Sequence, residues 1–145
     1  MRTPASIAGH PIHPMLVTIP VGLYVFSLVC DLIHAAGSTN PAWPTVALYT
    51  MGGGIVGALA AAVPGLIDLL SLKDPGIRKT AITHMVINLI VVALYVINFW
   101  MRMNGSPNTG MPLILSIIGI GLLVVSGWLG GKMVHEAGVG VDVAP

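Results

Sequence analysis

Four long, nearly uncharged apolar runs alternate with short polar breaks along the chain, and each run is close to the roughly 20 residues that cross a hydrocarbon core. The pattern predicts membrane spans over residues 14–36, 44–72, 80–103 and 111–135. The breaks carry turn chemistry: Gly37-Ser38-Thr39-Asn40-Pro41, Lys73-Asp74-Pro75-Gly76 and Asn104-Gly105-Ser106-Pro107-Asn108. Connections this short make neighbouring helices antiparallel. The expectation is an all-α polytopic membrane protein, an up-down four-helix bundle forming a single domain over residues 1–145. The first span reads as a retained helix rather than a signal peptide, because its apolar region exceeds the usual ~7 to 15 residues and contains Asp31 and His34. No sequence repeat between the two halves is expected.

Within the spans, polar positions fall on stripes. His13, Val17, Pro20, Tyr24, Ser27, Asp31 and His34 recur at steps of three and four in span 1, and span 3 repeats the arrangement with His84, Asn88, Val91, Tyr95, Asn98 and Arg102. Hydrocarbon cannot satisfy hydrogen bonds, so both stripes are expected to face the bundle interior. Spans 2 and 4 instead carry small residues: Gly52-Gly53-Gly54, Gly57 and Ala60-Ala61-Ala62 in one, Ser116, Gly119, Gly121, Ser126-Gly127 and Gly130-Gly131 in the other. Small faces serve close helix packing, or clear room for a flat cofactor beside the polar helices.

Composition agrees with the pattern: 55% of residues are hydrophobic and 8% charged, with a mean hydropathy of +0.92. Soluble domains carry about 25% charged residues. Arg2, Lys73, Arg78, Lys79 and Lys132 fall on one side of a four-span bundle and Arg102 on the other, which predicts both termini in the cytoplasm and residence in a bacterial inner (plasma) membrane. The lone Cys30 excludes an internal disulfide and covalent c-type haem. A net charge of +1 gives no reason to expect nucleic acid as a partner.

Candidate chemistry begins at Gly9-His10-Pro11-Ile12-His13-Pro14. Proline is preset for the first helical position, so a helix is expected to start at Pro11 or Pro14, with both imidazoles at its entrance, kept neutral by the helix dipole. His10, His13, His84, His135 and Asp68 are all expected near the same membrane face. Neutral histidines on diagonal helices suit the axial positions of a haem b iron, with His13 and His84 as the pair and His10 as substitute for His13. Lys73, Arg78, Lys79 and Lys132 would receive its propionates. The same set, His10, His13, His84, His135 and Asp68, equally suits zinc or non-haem iron. A third reading is polar helix packing without a metal. At the opposite face Asp31, His34 and Arg102 read as a surface ion cluster, with a quinone-sized pocket near Tyr24, Asp31, His34, Tyr95 and Asn98 as its functional alternative. No constellation of nucleophile, base and oxyanion donors is present, which leaves a hydrolytic activity without support.

The segments GHPIHPMLVTIPVGLYVFSLVCDL, AAVPGLIDLL, HMVINLIVVALYVINFW and SGWLGGKMVHEAGVGVD resemble a bacterial family of four-helix membrane domains, some members of which are joined to a Rieske-type iron–sulfur domain. The resemblance covers nearly the whole chain and implies, through the Rieske-joined members, a place in electron transfer; the haem reading expects electrons to pass between a quinone and a Rieske-type or other redox protein. The layout is similar to that of small b-type cytochromes. His10, His13, Asp68, His84 and Asn88 fall on positions of the family pattern, which makes Asn88 a candidate cofactor neighbour. The pattern has tyrosine where this chain has His135 and histidine where it has Ala137, which weakens His135 as a ligand. The alternative is metal binding or transport; transport would call for a homo-oligomer, since four helices leave little room for alternating access.

Overall fold

The structure, a computed structural model, describes residues 3–141. Its four helices, α1 (Ile12–Ala35), α2 (Ala42–Ser71), α3 (Pro75–Met103) and α4 (Met111–His135), are each long and apolar enough to cross a membrane. The up-down bundle expected from the hydrophobic pattern is the observed architecture. The largest boundary difference is at α3, which starts at Pro75 rather than residue 80. Asp74 supplies the reason: its Oδ1 accepts the Ile77 N–H at 2.9 Å, and Pro75 occupies the first turn, where no amide hydrogen is needed. The first two turns of α3 thus carry Arg78 and Lys79 ahead of the apolar run.

Ahead of α1, a short hairpin pairs β1 (Ser6–Ile7) with β2 (His10–Pro11). Its two-residue turn has Ala8 at φ 50° and Gly9 at φ 80°, the left-handed geometry that matches the twist of paired strands. The Ile12 N–H bonds to the Ala5 carbonyl at 2.9 Å, and the Ala5 N–H bonds to Asp68 Oδ1 at 3.0 Å. This strap ties the start of α1 to the end of α2. Arg2, counted above with the basic residues, lies outside the described residues.

The helices pack most closely as two antiparallel hairpins, α1 with α2 and α3 with α4. Tyr24, Met51, Val91 and Tyr95 form the core where the hairpins meet, and Leu69, Leu72 and Ala81 form a second cluster toward the strap. Large apolar side chains such as Val56, Leu70, Leu89 and Trp128 point outward, as expected of surfaces that face lipid.

Contrary to the sequence expectation, the two hairpins are repeats of each other. His13 and His84, Tyr24 and Tyr95, Ser27 and Asn98, and Asp31 and Arg102 are separated by one constant interval of 71 residues. In the second helix of each hairpin a second interval relates Ala47 to Pro112, Gly54 to Gly119, Ala61 to Ser126 and Gly65 to Gly130. The contacts repeat as well. Ser27 Oγ donates to the Ala47 carbonyl at 2.8 Å, and Asn98 Nδ2 donates to the Pro112 carbonyl at 2.8 Å. A Cβ on Gly54 would come within 2.5 Å of the Tyr24 ring, and one on Gly119 within 2.7 Å of the Tyr95 ring. Most paired letters differ, so the repeat is carried by contacts and escapes comparison of residue identities.

Candidate functional site

The repeat brings the first residues of the two stripes together. The His13 and His84 rings lie 6.2 Å apart, centre to centre, at an interplanar angle of 85°. Each is anchored on the helix that follows its own. His13 Nδ1 donates to the Ala61 carbonyl at 2.8 Å, and His84 Nδ1 donates to the Ser126 carbonyl at 2.9 Å. A carbonyl only accepts, so each Nδ1 carries a proton, and it is Nε2 that a neutral ring in this pose would offer as ligand. A bond of this kind fixes the orientation of an imidazole ring.

The two rings are not held identically. Ser126 Oγ lies 3.0 Å from His84 Nδ1 and accepts from Asn88 Nδ2 at 2.7 Å, while Asn88 also donates to the His84 carbonyl at 2.8 Å. Val17 and Ala61 occupy the matching positions beside His13 and offer no such side-chain bonds. Glycine makes room behind both rings. A Cβ on Gly65 would fall 2.7 Å from His13 Nδ1, an impossible contact, and one on Gly130 would lie 3.4 Å from His84 Cε1.

The other residues singled out from the sequence stand elsewhere. His10 is exposed in the hairpin, its Nδ1 donating to the Ala8 carbonyl at 3.0 Å; α1 starts at Ile12 and leaves it outside the helix. His135 is exposed at the last residue of α4. Asp68 spends Oδ1 on the backbone of the strap. Among the described residues no group of three His, Cys, Asp or Glu is placed to hold a metal ion, so the five-residue ligand set does not assemble. Arg78 and Lys79 are exposed and, at 100° per residue, project from a side of α3 turned away from His84, which removes the geometric basis for their contact with propionates.

At the far end the expected surface ion cluster is a buried one. Arg102 Nη1 and Nη2 donate to Asp31 Oδ1 and Oδ2, both at 2.7 Å, with the two side chains 2% and 0% exposed. Arg102 Nε donates to Asn98 Oδ1 at 2.8 Å, and Asn108 Nδ2 donates to Asp31 Oδ1 at 3.0 Å. His34 is not a member; its Nδ1 donates to the Ser38 carbonyl beyond the helix. Between the two ends, Tyr24 and Tyr95 stack face to face with centres 3.7 Å apart. Asp31 and Asn98 are engaged in this network, Tyr95 Oη donates to the Ser116 carbonyl at 3.4 Å, and the buried Tyr24 Oη has no hydrogen-bond partner among the described residues; all four side chains are packed in the interior, where the sequence suggested a quinone-sized pocket.

Ala61, Gly65 and Ser126, which seat the two imidazoles, were not identified as site residues by sequence reasoning. The signal that finds them is the constant interval between the hairpins. No curated protein and no solved structure matches the chain. The family described as "Predicted membrane protein (DUF2231)" matches residues 9–143, nearly the whole length, and the chain belongs to that family.

Proposed function

We propose that the protein binds haem b between His13 and His84 and passes single electrons within the membrane. The observation that carries this reading is the pair itself: two imidazoles from diagonal helices, each with Nδ1 bonded to a carbonyl of the following helix, with centres 6.2 Å apart. Metal–imidazole bonds of about 2.0 Å place two rings that ligate one ion from opposite sides about 6 Å apart, centre to centre. Each hairpin supplies one imidazole, so the two hairpins would hold the group jointly. Zinc takes three or four protein ligands, whereas an iron that brings four ring nitrogens of its own needs only two.

The chain's own groups then have defined roles. His13 and His84 bind. The Ala61 and Ser126 carbonyls orient the two rings, and the additional bonds from Ser126 and Asn88 make His84 the more firmly held ligand. The strap held by Asp68 and the apolar cluster of Leu69, Leu72 and Ala81 both lie at this end of the bundle and would limit the access of water to the pair. Bound haem would supply one-electron exchange between ferric and ferrous iron. A Rieske-type redox protein, on the resemblance described above, and a quinone, as a membrane-soluble carrier, are the proposed electron partners.

Lys73, Arg78, Lys79 and Lys132 lie at the same end as the histidine pair, whereas Arg102 is buried in its ion pair and does not count as a loop charge. This supports placing both termini in the cytoplasm of an inner-membrane protein. Purification from haem-replete cells tests the reading: one haem per chain is expected, with iron equal to haem. Protein without haem, or carrying zinc in its place, would overturn it.

A further inference from the structure

We propose that the outward face of α3 at its amino-terminal end binds an anionic phospholipid, independently of what the histidine pair holds. Lys73, Pro75, Arg78, Lys79, Ile82 and Thr83 line an open groove of about 360 Å³. Three cations thus converge at the start of α3, Lys73 from the loop before it and Arg78 and Lys79 from its first turns, beside an apolar residue and a hydroxyl. They carry no ion pair: among the described residues the ion pairs are Asp31 with Arg102 and Lys132 with Glu136. The nearby Asp74 carboxylate is engaged in capping, its Oδ1 accepting the Ile77 N–H. Asp74 keeps its negative charge while it caps the helix, so three cations against one carboxylate leave the groove net positive.

Depth and direction identify the occupant. At 29 residues α3 is longer than the roughly 20 needed to cross the hydrocarbon, so its first turns reach headgroup level. Below the groove the same face of α3 continues as exposed Ile82, Val86 and Leu89, spaced one helical turn apart. A phosphate at the cations and an acyl chain along the apolar strip match this arrangement in both charge and polarity. A free phosphate ion would use only the upper part. Each basic residue near an anionic surface contributes about fivefold to binding, so three together favour an anionic over a neutral lipid by tenfold or more.

The test uses the full chain in neutral phosphatidylcholine nanodiscs, titrated with a fluorescent phosphatidylglycerol. Wild type should bind it with at least tenfold preference over the matching phosphatidylcholine probe. Lys73→Gln/Arg78→Gln/Lys79→Gln should abolish the preference, whereas Lys132→Gln and the charge-keeping Lys73→Arg/Arg78→Lys/Lys79→Arg should retain it. Inorganic phosphate at tenfold excess over the probe should not displace it. Equal binding by wild type and the glutamine variant, loss in the charge-keeping variant, or displacement by phosphate would each overturn the proposal.

Discussion

Asp31 and Arg102 hold the same position in the two hairpins, 71 residues apart, and close the bundle with two parallel hydrogen bonds of 2.7 Å. A repeat that kept identical residues here would place like charges against each other. Opposite charge at equivalent positions converts that conflict into a clasp between α1 and α3, further tied to α4 and the loop before it by Ser116 and Asn108.

Removing one member of this pair leaves the other charged and buried, which costs roughly 3–5 kcal/mol, while replacing both with apolar residues is far less damaging. Asp31→Leu and Arg102→Leu should each lower the thermal midpoint in detergent sharply. Asp31→Leu/Arg102→Leu should recover most of the loss. A double variant as unstable as the sum of the singles would show that the pair is not the coupled unit described.

Gly65 and Gly130 are equivalent positions with unequal clearance. Because an added Cβ overlaps the His13 ring at Gly65 and only touches His84 at Gly130, Gly65→Ala should displace His13 and sharply reduce any cofactor bound there, while Gly130→Ala should be tolerated. Optical spectra of the two variants at equal protein concentration provide the check. The reverse order of damage would contradict the seating of the rings.

Asp68 acts on the strap. Asp68→Asn keeps a carbonyl acceptor for the Ala5 N–H and should leave the strap and any bound haem in place; Asp68→Ala should remove about 1 kcal/mol of local stability and speed hydrogen exchange at Ala5. Exchange at Ala5 unchanged in Asp68→Ala would mean that the strap is held by other contacts.

The spans and both polar stripes were legible in the sequence because lipid enforces hydropathy, and because every third or fourth position of a buried face must be satisfied inside the bundle. His13 and His84 stood out for the same reason, as ionisable groups within long apolar runs. The position of His10 was not legible: strands of two residues have no period, and an Ala-Gly turn is a weak hairpin signal beside two prolines that favour a helix start. Asp68 was misjudged because its partner is a backbone amide 63 residues away, which no side-chain pattern reveals. The repeat was hidden by pairs such as Asp31 with Arg102 and Ser27 with Asn98, where equivalent geometry is filled by different chemistry.

The proposed orientation rests on the basic residues at the histidine end. Reporter fusions after Pro145 and within the loop spanning residues 105–108 should report cytoplasm and exterior respectively. The opposite result would place the histidine pair near the outer face while leaving its geometry intact.

The central claim is that His13 and His84 together hold one haem, and the reduced-minus-oxidised optical spectrum of protein from haem-replete cells tests it most directly. Wild type should show a bis-histidine b-type spectrum, which His13→Ala and His84→Ala should each abolish and His34→Ala, at the opposite end, should leave unchanged. A Soret band retained in both His13→Ala and His84→Ala, or a wild-type protein without haem, would contradict it.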